Sequence, residues 1–159
     1  MKIDNTFLSW FQFVGSRVSK CKIQNDYVNF NINENDLDID ITPTIHDIQS
    51  DEENKCKSGI IELDIVASYC NENNLSLKFE LTIEGCFVAP LDAPKDIFYD
   101  MLGMNGAATV YSLARSYIKN VYALTADNGS LVLPMINMVE LYNRCLKKDN
   151  LNTTESTEE

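Results

Sequence analysis

LSLKFELTIEG, residues 75–85, alternates apolar and polar side chains from Leu75 to Glu84. Successive side chains on a strand point to opposite faces, so this run is a strand with one greasy and one wet side. Two earlier runs repeat the pattern. Ile61, Leu63, Ile65 and Ala67 alternate with Glu62, Asp64, Val66 and Ser68, and Leu37, Ile39 and Ile41 alternate with Asp38 and Asp40. Together they predict a sheet with an apolar face and a face rich in carboxylates. That charged face is either plain solvation or a landing surface for a basic partner.

The charge is concentrated there. The chain has 159 residues, an ordinary apolar share of 45% and a formal net charge of −11. Residues 31–92 carry fourteen acidic and three basic side chains, an imbalance equal to that of the whole chain. Such a protein repels nucleic acid and anionic lipid and attracts basic segments of other proteins. The five cysteines (Cys21, Cys56, Cys70, Cys86 and Cys145) form no CxxC or Cys/His cluster. No apolar run has the look of a signal peptide or approaches membrane-spanning length. A cytoplasmic protein with reduced thiols and no membrane insertion is expected.

Outward from the alternating runs, TFLSWFQFVGSRV (6–18) predicts a first strand, with Gly15 marking a bulge or bend. Residues 22–36 read as a polar connection studded with apolar side chains. The second strand is expected over 37–48, with Pro43 at an edge, the third over 59–70 and the fourth over 75–89, with Gly85 as a bulge. NENN, 71–74, is a hairpin loop. At LDAP, 91–94, the period changes. Asp92 is placed to cap and Pro94 suits a first helical turn, so a short helix is predicted over 94–102, ending at Gly103.

A long helix follows, about 105–125. It carries one apolar stripe of Val110, Leu113, Ala114, Tyr117, Val121 and Leu124, and a second of Ala107, Tyr111, Ile118 and Tyr122. A helix apolar on most sides is buried on most sides. One sheet covers one side, so the other is expected to meet a second chain, with Tyr111, Ile118 and Tyr122 assigned to that interface. ADNG, 126–129, is a turn, and SLVLPMIN, 130–137, an extended connection fixed by Pro134. Asn137 caps a last helix over 137–148. DNLNTTESTEE, 149–159, lacks core-forming content and is expected to be a disordered acidic tail. The fold class is α+β: a four-stranded antiparallel sheet with a long helix and a C-terminal helix on one face, in a single domain over 1–148.

Chemistry is hard to find. His46 beside Asp47 has no nucleophile in context, GMNG at 103–106 lacks the lysine and spacing of a phosphate loop, and an open sheet face has no cleft to perturb a carboxylate. No enzyme, cofactor or metal site is expected. A ligand- or cation-binding role for the carboxylate face remains an alternative.

The order of elements and several local motifs resemble the SecB family of protein-export chaperones. Gly85-Cys86-Phe87 resembles the family's G-x-F at the end of the fourth strand. Leu113-Ala114-Arg115 resembles its tyrosine-alanine-arginine segment, Leu133-Pro134-Met135-Ile136-Asn137 its L-P-P-[IV]-N-F signature, and Phe11-Gln12-Phe13 the opening of its first strand. The likeness spans roughly residues 6–148. Met135 stands in place of the second proline, Met138 in place of the phenylalanine, and Ser112 where a proline is common.

The resemblance implies a homotetramer, a dimer of dimers with helices between sheets, and an ATP-independent holdase for unfolded clients, among them precursors for export. It implies apolar client grooves between the 22–36 connection, the 130–136 segment and the last helix. Their candidate lining is Tyr27, Val28, Phe30, Ile32, Leu131, Leu133, Met138, Leu141 and Tyr142. It further implies docking of the SecA translocation motor on the acidic face, for which Asp38, Asp40, Glu62, Asp64 and Glu80 are the candidates. Glu80 matches the family's acidic position, and Lys78 replaces an apolar one. A dedicated chaperone of an antitoxin is the alternative within the same resemblance.

Overall fold

A computed structural model describes residues 10–26, 37–46, 48–70, 76–124 and 131–145. The expected hairpin loop at 71–74, the turn at 126–129, the tail at 149–159, and Asp47, Tyr27, Val28, Phe30 and Ile32 lie outside these residues.

Strands β1 (Gln12–Asn25), β2 (Asp38–Ile45), β3 (Gln49–Asp51), β4 (Cys56–Cys70) and β5 (Ser76–Pro90) form one antiparallel sheet in the order β1-β5-β4-β2, with β3 also pairing β4. There are five strands rather than four. The extra strand is the short β3, which follows the predicted second strand and pairs through Gln49↔Ser58 and Asp51↔Cys56. Pairs such as Leu63↔Ile83, Ile65↔Leu81 and Ala67↔Phe79 stack the apolar members of the alternation on one face. All six of those side chains are buried. Pro43 falls on β2, whose outer side carries no strand among the described residues, as proline's missing N–H favours.

β1 runs seven residues beyond its predicted end. Its pairing with β5 shifts register between Phe13 and Gly15 and again between Val18 and Lys20. Each shift changes which parity faces the core, so Phe13, Val18, Cys21 and Ile23 share the apolar face despite irregular spacing. The expected bulge at Gly15 is present. The one at Gly85 is not, since β5 pairs regularly there with both Ser16 and Ile61. Gly85 serves a different need. A Cβ on it would overlap Val110 Cγ2, and one on Gly59 would lie 2.5 Å from Leu102 Cδ1. The two glycines let the helix approach the sheet closely.

That helix does not stop at Gly103. Helix α1 (Lys95–Met101) passes through a π-helical turn (Leu102–Gly106) directly into α2 (Ala107–Ala123). Phe98, Leu102, Gly106, Val110, Ala114, Ile118 and Tyr122 are spaced four apart, and all are buried. Four residues of α-helix turn about 400°, so such a stripe drifts around the helix by roughly 40° per step. The π turn takes up an extra residue and brings both ends back onto the sheet. Asp92 does not cap α1. Pro94 stands at the N-cap without a side-chain cap bond, and Lys57 Nζ holds the preceding turn by donating to the carbonyls of Leu91 and Ala93.

The core lies between helix and sheet. Phe11 stacks on Phe87 at 4.8 Å, and Phe98, Phe79 and Tyr122 are almost fully enclosed. Burying each such side chain contributes about 1.5–3 kcal/mol. Tyr111, Ile118 and Tyr122 belong to this core, at 3%, 0% and 0% exposure. Their assignment to an interface with a second chain is therefore corrected, because this chain's own core already encloses them. Of the other stripe, Val110 and Ala114 are also fully buried, Leu113, Tyr117 and Val121 are half-buried, and Leu124 is exposed.

Candidate functional site

After α2 the chain returns as an extended strap, residues 131–137, and a last helix α3, residues 138–145. Leu131 and Leu133 anchor the strap in the core. Tyr111 Oη donates to the Pro134 carbonyl at 2.8 Å, and Arg115 Nε donates to the Leu133 carbonyl at 2.7 Å. A strap has no ladder of its own, so these side chains satisfy carbonyls that would otherwise be left unpaired. Asn137 Oδ1 accepts the Glu140 N–H at 3.3 Å, the cap expected of it. Tyr142 Oη donates to Asp100 Oδ1, fixing α3 to α1, and burial raises the Tyr142 phenol well above its usual range. Replacing Arg115 by methionine should lower stability by about 1–3 kcal/mol, read as a lower urea midpoint with unchanged slope.

These contacts divide the nine groove candidates. Leu131, Leu133 and Tyr142 are buried in the core and offer no surface for a ligand. Met138 is half-buried against the same core. Leu141 lines a groove of about 390 Å³ between α3 and the edge strand β2. The apolar lining is Ile39 and Ile41 from β2 with Ile136, Leu141 and Cys145 opposite, and Asp40, Asn137, Glu140 and Arg144 form the polar part. Ile39, Ile41, Ile136 and Cys145 are the residues sequence reasoning missed. Their alternation marks a core face, but on an edge strand the helix covers them only in part, and they remain half-buried. With no strand paired along the outer side of β2 among the described residues, the groove sets apolar side chains beside main-chain donors and acceptors.

The opposite, polar face of the sheet is laced across its strands. Arg17 Nη2 donates to both carboxylate oxygens of Glu84 at 2.9 Å. Glu80 is held between Lys20 at 2.8 Å and Lys78 at 3.0 Å. Hydrogen bonds from Lys20 and then Lys78 hold the Glu80 carboxyl down at about 2. Of the five carboxylates expected to form the landing surface, Glu80 is thus neutralised by β1 and by Lys78. Among the described residues, Glu62 and Asp64 on β4 and Asp38 and Asp40 on β2 make no ion pair with a lysine or arginine. Glu62 lies 3.9 Å from His46, and Asp64 accepts from Thr82 Oγ1.

A depressed folded-state pKa stabilises above the unfolded value of 4.5, and that contribution is lost as pH falls through about 2. Wild type should therefore be more stable than Glu80→Gln at neutral pH, and the two should converge near pH 2 in denaturant titrations. Among the described residues no group of three or more His, Cys, Asp or Glu is placed to hold a metal ion, and no helix is long and apolar enough to cross a membrane.

The architecture is the SecB-like fold: an antiparallel sheet with a long helix and a C-terminal helix packed on one face. No family model matches the chain, and no curated protein matches it in sequence. Among solved structures it is similar to a SecB-like chaperone of Mycobacterium tuberculosis in complex with a ChAD peptide from the HigA1 antitoxin. The TM-score is 0.53 at 11% identity, over 80% of this chain and 91% of that one. It is also similar to a Streptococcus agalactiae protein of unknown function, with TM-score 0.50 and 13% identity over 79% and 97% of the two chains.

Proposed function

We propose that this protein is an ATP-independent chaperone that holds unfolded polypeptide in the groove between β2 and α3. The observation that carries the reading is the half-buried apolar lining of Ile39, Ile41, Ile136 and Leu141 beside β2, whose outer side carries no strand among the described residues. Binding there requires no bond chemistry and so no enzyme activity. Its free energy comes from burying apolar side chains and pairing backbone. Titrating the protein into a fluorescently labelled, permanently unfolded polypeptide should give a saturable rise in anisotropy without nucleotide. An unchanged anisotropy up to high protein concentration would overturn the proposal.

Clients destined for export, in the cytoplasm, are the broader form of this reading. A homotetramer would cover Leu124, Phe13 and Val14, which are 87%, 42% and 62% exposed in the single chain. Its mass is measurable by light scattering on a sizing column. Docking of a basic partner such as the SecA motor would draw on Asp38, Asp40, Glu62 and Asp64 rather than on Glu80, whose charge is already matched.

A second reading is favoured by the antitoxin peptide in the mycobacterial complex: a chaperone dedicated to one antitoxin. A toxin–antitoxin gene pair beside this gene, and tight binding of that antitoxin against weak binding of generic unfolded chains, would select it.

A further inference from the structure

We propose that Met135 is an oxidation site, and that its sulfoxide locks the strap beside the groove. Met135 is 80% exposed, whereas Met101, Met104 and Met138 are partly buried against the core. Its Sδ meets Arg115 Nη1 at 2.8 Å, and Arg115 also donates through Nε to the Leu133 carbonyl. One guanidinium therefore holds the strap by a strong bond at Leu133 and by a weak one, to a thioether, at Met135. A thioether sulfur is a poor acceptor, and a sulfoxide oxygen is a good one.

The oxidant is a peroxide. A sulfur lone pair attacks one peroxide oxygen and the O–O bond breaks. The transferred oxygen forms S=O, its proton passes to the departing hydroxide, and water leaves. Sulfur is oxidised by two electrons and the peroxide reduced by two. The new oxygen accepts from Arg115 Nη1 while Nε keeps Leu133, so the guanidinium clamps the strap at two points. Ile136 and Asn137, the next two residues, line the groove. Oxidation therefore bears on the wall of that groove, and a dithiol-dependent methionine sulfoxide reductase would reverse it.

The test uses the full chain treated with hydrogen peroxide, peptide mass spectrometry to locate the added oxygen, and amide hydrogen exchange over 131–141. Among the methionines of the described residues, the first oxygen is expected on Met135. Exchange in the strap is expected to slow about threefold to tenfold, as one added charge-assisted hydrogen bond implies. Met135→Gln, whose amide oxygen stands where the sulfoxide oxygen would, is expected to slow exchange without oxidant. Met135→Leu is expected to show no oxidant effect. First oxidation at Met101, Met104 or Met138, or unchanged exchange in both the oxidised protein and Met135→Gln, would overturn the proposal. Client binding does not enter the readout, so its outcome is independent of the chaperone reading.

Discussion

Gly85→Val should lower the melting temperature by roughly 4–8 °C, the largest loss expected from a change of this size on the sheet. A Cβ at this position overlaps Val110 Cγ2 and lies 3.1 Å from Phe87 Cε2, and both neighbours are buried. Valine adds two methyls beyond that Cβ with nowhere to put them. Overpacking of this kind costs about 1–3 kcal/mol, partly offset by valine's better strand propensity. About 2 kcal/mol is the net expectation, at roughly 2–4 °C per kcal/mol for a domain of this length. Two controls make the argument specific. Gly15 has nothing within 4 Å of an added Cβ, so Gly15→Ala should change stability by about 0.5 kcal/mol or less. Adding Val110→Ala should recover part of the Gly85→Val loss, because the truncated side chain no longer meets it. A double-mutant cycle by urea denaturation reads that coupling.

The second large effect concerns binding. Ile41→Thr combined with Leu141→Gln should weaken an unfolded polypeptide by about tenfold to a hundredfold. Each substitution removes apolar surface from one wall of the groove, and a buried aliphatic contact is worth about 1.5–3 kcal/mol. Both residues are half-buried, so the fold should survive, which circular dichroism checks. Leu133→Ala is the contrasting substitution. Leu133 is fully buried, so its truncation should cost about 2–5 kcal/mol of stability and act on binding only through unfolding.

The sheet was legible because its period is simple. Alternation over 61–68 and 75–84 assigns β4 and β5 and their buried faces side chain by side chain. β1 was less so, since its two register shifts break the alternation that would have carried the strand to Asn25. Gly103 reads as a helix end because glycine is an ordinary stop signal. Here the buried stripe continues at four-residue spacing through a π turn. Tyr111, Ile118 and Tyr122 looked surplus because a two-striped helix on one sheet appears half naked. The strap covers part of its flank, and Tyr111 and Arg115 hold the strap there. The groove described beside the last helix has a lining that the sequence does not announce. Which face of the strap turns inward depends on Arg115 and Tyr111 bonding to carbonyls, and no periodicity reports that. The acidic face was visible as composition, yet its pairing was not. Lys20 reaches Glu80 across the sheet only once β1 has slipped register.

The central claim is that this chain holds unfolded polypeptide without nucleotide, and light scattering of an aggregating client tests it most directly. An unfolded, slow-folding protein diluted into buffer with stoichiometric chaperone and no ATP should show strongly suppressed scattering, and the Ile41→Thr/Leu141→Gln variant should restore most of it. Scattering that rises identically with and without the wild-type protein would contradict the account.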